Sequence, residues 1–136
     1  MTPLELRARV GIFLRTVAGV RAGDRLLVAL SGGLDSAVLL DLLAGLRREL
    51  GLDLRAAHFD HQLRAGSAAD SRFAAELAAA RSLPFSAGSG DVAGHARLHH
   101  LSLEAAARQL RYAFLDEAAQ AAGCQYIALA HHADDQ

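Results

Sequence analysis

A continuous apolar run, Leu26-Leu27-Val28-Ala29-Leu30, empties directly into Ser31-Gly32-Gly33-Leu34-Asp35-Ser36 and then into a helical stretch. A buried strand that ends in glycines, hydroxyls and a carboxylate ahead of a helix is the arrangement that turns backbone N–H groups toward a phosphate. Gly32 and Gly33 permit positive φ and bring the main chain close to an oxyanion, while Ser31 and Ser36 add hydroxyl donors at the helix N-terminus. The loop is not of the Walker A kind, which needs a lysine, because all 14 basic residues of the chain are arginine. A carboxylate such as Asp35 beside a polyphosphate calls for a divalent cation between them, so ATP with magnesium is the expected ligand. The alternative is a glycine-rich turn in which Ser31 merely caps the helix.

Downstream, apolar runs and helical stretches keep alternating. Strands are expected over about 25–30, 54–59, 84–87 and 126–130, and helices over about 3–18, 35–50, 67–81 and 102–122. Thr2-Pro3-Leu4-Glu5 spells a capping box with proline at the first helical position, and Leu6, Val10, Phe13 and Val17 follow at helical spacing. That pattern favours a folded helix over a transit peptide, despite Arg7, Arg9, Arg15 and Arg21. In the second helix Val38, Leu39, Leu42, Leu43 and Leu46 form the apolar set, and Ser67-Ala68-Ala69-Asp70 reads as the cap of the third. Residues 88–100, with three glycines, three histidines and no periodicity, read as a mobile loop. Strands separated by helices of this length imply right-handed crossovers, hence an α/β fold with a doubly wound, mostly parallel sheet. Ligands of such sheets sit at the carboxyl ends of the strands, and every polar cluster of this chain falls at one of those ends.

Composition narrows the possibilities further. A length of 136 residues with 52% hydrophobic content suits one domain with a real core. The formal net charge of -1 argues against a generic polyanion binder. Cys124 is the single cysteine, which excludes an internal disulfide or a CxxC site and fits a reducing compartment. No apolar run reaches transmembrane length, so no membrane partner is expected.

Three further clusters carry candidate chemistry. His58 and Asp60 of His58-Phe59-Asp60-His61-Gln62-Leu63-Arg64 point the same way along an extended strand, so imidazole and carboxylate are expected to converge beside the first loop. A zinc site drawing on His58, His61, His131 and His132 is a weaker option, since no cysteine spacing supports it. On the long helix, Leu103, Ala107, Leu110 and Phe114 form one stripe, and Glu104, Arg108 and Arg111 another. Two arginines on one helical face can grip phosphates; the plainer reading is an exposed Glu104–Arg108 pair worth ~0.3–0.5 kcal/mol. Last, Ala130-His131-His132-Ala133-Asp134-Asp135-Gln136 puts adjacent carboxylates at the fourth strand end, suited to a metal, a cationic substrate or an ordinary helix cap.

Together these segments resemble the N-type ATP pyrophosphatases, which cleave ATP between the α and β phosphates to adenylate a substrate. Residues 29–36 look like their SGGxDS loop. Residues 58–64 are similar to the HxDHxLR segment, 107–112 to the ARxxRY segment and 129–136 to the LAHHxDDQ segment of the bacterial tRNA(Ile)-lysidine synthase family. The resemblance runs through almost the whole chain in order and spacing. It implies an adenine nucleotide alpha hydrolase-like, Rossmann-like PP-loop domain spanning 1–136, cytoplasmic, with its last strand and helix truncated: the N-terminal part of a longer enzyme that can form a homodimer.

The implied reaction activates the wobble cytidine of tRNA(Ile) at C2 with ATP and then joins free L-lysine to it, releasing AMP and pyrophosphate. By position, Ser31, Gly32, Gly33, Leu34 and Ser36 would hold the phosphates, and Asp35 and Asp134 would bind magnesium. The backbone at Ala57 and His58 would meet the adenine, Arg108 and Arg111 would stabilise developing charge, and Asp135 would take the lysine ammonium. Members of the family continue past this point with further segments that grip the tRNA, so these residues alone are expected to be weakly active or inactive. Competing readings are a tRNA 2-thiolation enzyme, an amide-forming ATP pyrophosphatase and a nucleotide-binding module without catalysis. Thiolation enzymes that use an iron–sulfur cluster need cysteine pairs, which Cys124 alone cannot supply.

Overall fold

The apolar run forms the first strand, β1 (Arg25–Ala29), buried from Leu26 onward. The computed structural model describes residues 19–31, 33–63 and 65–130; the helix expected over 3–18, Gly32, Arg64 and the stretch 131–136 lie outside them. From β1 the chain enters α1 (Leu34–Leu50), followed by β2 (Asp53–Asp60), α2 (Ser67–Ala80) and β3 (Phe85–Ser89). It continues through α3 (Val92–His99) and α4 (Leu103–Ala122) into β4 (Tyr126–Ala128). Both α1 and α4 end on a glycine in the left-handed region, Gly51 at φ 66 and Gly123 at φ 70, where a side chain would be strained.

The four strands are parallel in the order β3-β2-β1-β4. Arg25 pairs with Asp53, Leu26 with Tyr126 and Ala56 with Phe85. The chain therefore moves outward from β1 to β3 and returns to β1's other side for β4, which makes the β1/β4 junction a topological switch point. Side-chain alternation along β1 builds two cores. Leu26, Val28 and Leu30 join Leu40, Leu43, Leu46 and Leu50 of α1 with Ala74 and Ala78 of α2 on one face. Leu27, Ala29 and Ala57 meet Leu115 and Ala119 of α4 on the other. Each leucine sealed this way contributes ~1.5–3 kcal/mol. The fold is thus the doubly wound, parallel α/β architecture expected from the alternation of elements.

Three local expectations need correction. Residues 88–100 are not a loop: they hold the end of β3 and the helix α3, whose N-cap Asp91 accepts a hydrogen bond from Gly94 N at 3.0 Å. Val92 and Ala96, one turn apart, bury that short helix against Phe59, Leu101 and Leu110. In α1 the core-facing set is Leu40, Leu43, Leu46 and Leu50, while Val38 is exposed. Finally, α2 begins after Gly66 with no side-chain cap, so Ser67 is a helical residue rather than the cap.

The foot of the sheet, away from the polar clusters, is tied by Arg25. Its Nε lies 2.9 Å from Asp53 Oδ2 and its Nη1 donates to the Ala122 carbonyl at 2.8 Å, close to the C-terminus of α4. The ion pair is exposed and weak, at ~0–1 kcal/mol. Its carbonyl contact nonetheless anchors α4 to β1, and the other end of α4 reaches the candidate site.

Candidate functional site

The loop after β1 is organised by its own hydroxyls. Ser36, buried at the first turn of α1, accepts a hydrogen bond from Ser31 N at 3.0 Å and donates to the Gly33 carbonyl at 3.1 Å. Ser31 Oγ lies 3.1 Å from Ser36 Oγ and accepts from Gly33 N at 3.2 Å. Gly33, not Ser31, is the N-cap of α1 and as a glycine offers no capping side chain, whereas Ser102 caps α4 through Ala105 N. Gly33 sits at φ -95, so its conformation is ordinary extended backbone and not the positive φ that glycine permits. A Cβ there would stand 3.3 Å from Ser31 Oγ, so closeness explains the residue better than torsion. Leu34 and Asp35 are exposed at the head of α1.

A cavity of about 310 Å³ opens at the carboxyl ends of β1 and β2. Leu30 and Ser31 line it from the first loop, and Phe59 and His61 from the end of β2. The N-terminal half of α4 supplies Glu104, Ala107, Arg108, Arg111 and Tyr112. The first two clusters and the arginine stripe therefore meet in one place. Glu104 and Arg108 form no ion pair with each other; the Arg108 guanidinium instead lies 5.3 Å from the centroid of the Tyr112 ring. The stripe expected opposite is only partly apolar in its surroundings, since Ala107, Leu110 and Phe114 pack while Leu103 is exposed.

At β2 the pair that reaches the cavity has the opposite parity from the one expected. His58 is 4% exposed and its Nδ1 lies 2.6 Å from the Leu30 carbonyl. Asp60 closes a turn by accepting from Gln62 N at 2.9 Å, with Gln62 at φ 57. Imidazole and carboxylate thus do not converge on the cavity; Phe59 and His61 do. Ala57 is fully buried, its carbonyl accepting from Leu30 N at 2.8 Å, so neither Ala57 nor His58 contributes to the cavity wall. Strict alternation from His58 would have flagged Phe59 and His61 had the solvent-facing side of the strand end been known. His131, His132, Asp134 and Asp135 lie outside the described residues. Among the described residues no group of three or more His, Cys, Asp or Glu side chains is placed to hold a metal, so a zinc cluster finds no support there. No helix among them is long and apolar enough to cross a membrane.

α4 is held over the sheet by close packing. Phe114 lies against Phe59, ring centroids 5.8 Å apart, and covers Gly88 of β3 so tightly that a Cβ there would fall 2.5 Å from the ring. At the foot of the helix, burial pushes the Cys124 thiol above its ordinary range, partly opposed by the Arg55 guanidinium.

Comparison with known proteins agrees with this architecture. The chain is 50% identical over 117 residues to the tRNA(Ile)-lysidine synthase of Geobacter sulfurreducens, covering 85% of this chain and 25% of that protein. It is 43% identical over 131 residues to the enzyme of the same name from Dehalococcoides mccartyi, covering 96% of this chain and 28% of that protein. The chain thus spans about a quarter of the length of these curated relatives. Among solved structures, the U34-tRNA thiolase NcsA from Methanococcus maripaludis superposes with a TM-score of 0.79 at 16% identity, over 98% of this chain and 46% of that one, a likeness of fold. The PP-loop domain family matches residues 6–136, nearly the whole chain, and the protein belongs to that family.

Proposed function

We propose that this chain is the ATP-pyrophosphatase domain of a tRNA(Ile)-lysidine synthase. In this reading ATP adenylates the C2 carbonyl oxygen of the wobble cytidine, releasing pyrophosphate, and the amine of free L-lysine then attacks C2 and displaces AMP to form lysidine. The observation that carries the reading is the cavity joining Ser31 of the anion loop to Arg108 and Arg111 of α4, in a chain half identical to a protein of that name. Ser31 of the loop and two arginines lining one space suit a polyphosphate whose charge grows during transfer.

In this proposal the loop of Ser31, Gly32, Gly33, Leu34 and Ser36 holds the phosphates, with buried Ser36 shaping it through Ser31 N and the Gly33 carbonyl. Arg108 and Arg111 stabilise the charge that develops when the bond between the α and β phosphates breaks. The nucleotide base or the target cytidine lies against Phe59 and Tyr112, the flat groups of the cavity wall. Asp135 selects the lysine ammonium. A magnesium ion fits Asp35, a hard oxygen donor at the head of α1, with Asp134 as a second; few protein ligands suffice because magnesium keeps waters and takes phosphate oxygens. When bound, it would neutralise polyphosphate charge. An enzyme acting on tRNA with these substrates works in the cytoplasm.

The test is pyrophosphate release by the full-length protein given ATP, magnesium, tRNA(Ile) and lysine in turn. Pyrophosphate release that needs tRNA(Ile), with AMP release and lysidine formation that need lysine as well, is the expected result. Turnover without tRNA, or with a sulfur donor or ammonia in place of lysine, would move the assignment to another PP-loop reaction.

A further inference from the structure

The carbonyl of Leu30 stands one residue beyond β1, where the sheet ladder has ended. Its amide still joins the ladder by donating to the Ala57 carbonyl at 2.8 Å. The carbonyl takes its hydrogen bond from a side chain, His58 Nδ1, at 2.6 Å. A carbonyl oxygen only accepts, so Nδ1 carries the proton. Both polar groups of Leu30 are therefore held by consecutive residues of β2, and the next amide, Ser31 N, is held by Ser36 Oγ at 3.0 Å. Leu30 is 2% exposed and His58 4% exposed, so water does not replace this bond. Removing the donor leaves a buried acceptor unpaired, and the simplest relief is for the chain to leave β1 in another direction.

We propose that His58 is a positioning residue for the anion loop: its imidazole sets the exit direction of β1 and thereby places Ser31 against the cavity. The proposal rests on reading residues 31–36 as a phosphate-binding loop. It gives His58 a role through its side chain, by way of the Leu30 carbonyl, and no contact with the reacting atoms. The bland alternative is that His58 simply fills its buried site.

Three substitutions in the full-length protein separate these, read by the equilibrium affinity for a non-hydrolysable ATP analogue with magnesium. His58→Leu keeps volume and loses the donor. His58→Asn restores an amide N–H on the atom that branches from Cγ, as Nδ1 does. Leu83→Ala, a buried residue preceding β3, is a destabilised control. His58→Leu is expected to weaken analogue binding about tenfold, the loss of one buried hydrogen bond expressed in affinity. His58→Asn should return it to within about threefold, and Leu83→Ala should lower the unfolding midpoint with affinity unchanged. Equal weakening by Leu and Asn, unchanged affinity in His58→Leu, or equal weakening in Leu83→Ala would overturn the proposal. Should His58→Leu not fold, Asn against His58→Gln decides, since the Gln amide stands one carbon too far out: weaker binding by Gln supports the proposal and equal affinities refute it. A parent protein that binds the analogue but forms no lysidine defeats the reaction and leaves this series decisive; one that binds no analogue defeats both.

Discussion

Gly88→Ala tests how α4 is held over the sheet. The new Cβ would stand 2.5 Å from Phe114 Cδ1 and Cε1 and 3.1 Å from Cγ. Carbon atoms prefer ~3.5–4.0 Å, so the ring must retreat by roughly 1 Å. It cannot swing freely, because Phe59 lies against it with centroids 5.8 Å apart. Overpacking of this kind costs ~1–3 kcal/mol, and the gain from replacing a strand glycine by alanine returns only ~0.5–1 kcal/mol. The net expectation is a loss of about 1–2 kcal/mol, or a fall of roughly 3–8 °C in the midpoint of thermal unfolding followed by circular dichroism. Phe114→Leu, with a slimmer and more adaptable side chain, should relieve the clash, so the double variant should be at least ~0.5 kcal/mol more stable than the two single losses added together. A midpoint that stays level or rises in Gly88→Ala, or strict additivity in the double variant, would refute the argument from close approach.

Three other outcomes follow from the same structure. Ser36→Ala removes the hydroxyl that accepts from Ser31 N and donates to the Gly33 carbonyl, and should cost ~1–3 kcal/mol in urea unfolding together with a loss of ATP-analogue affinity; an unaltered curve would show that the loop holds itself by other means. Arg108→Ala and Arg111→Ala should each lower turnover of the full-length protein by about 10²-fold, whereas Arg72→Ala, exposed on α2, should leave it alone; equal effects would point to general charge rather than to the cavity. Because burial raises the Cys124 pKa in the folded chain, the neutral thiol is favoured there. Its contribution is present at lower pH and is lost as pH rises through the raised value, above the ordinary 9.0. Stability should therefore fall at alkaline pH less steeply in Cys124→Ala than in the parent, a difference that pH-dependent unfolding curves measure directly.

Most of the secondary structure was legible because its periods are strong. The apolar run of β1, the leucine spacing of α1 and the long stretch of α4 between Ser102 and Gly123 each declare themselves within one window. What escaped was short or ambiguous. α3 has eight residues and only Val92 and Ala96 buried, too little pattern to stand out; its stability comes from packing under α4 and from the Asp91 cap. The end of β2 misled for a related reason: Ala56 and Ala57 are both fully buried, so no alternation tells which face turns toward the cavity.

By itself, the sequence determined the α/β class and the alternation of the four strands with the longer helices, because each depends on residues close together in the chain. Tertiary structure alone decided that Ser31, His61, Arg108 and Arg111 share one cavity, since these residues come from three elements whose relative placement depends on the parallel register and on Phe114 closing over Gly88. It also decided what His58 does. A histidine at a strand end can face a ligand or a neighbour's backbone, and only the termination of β1 one residue before Leu30 left a carbonyl there for it to bind.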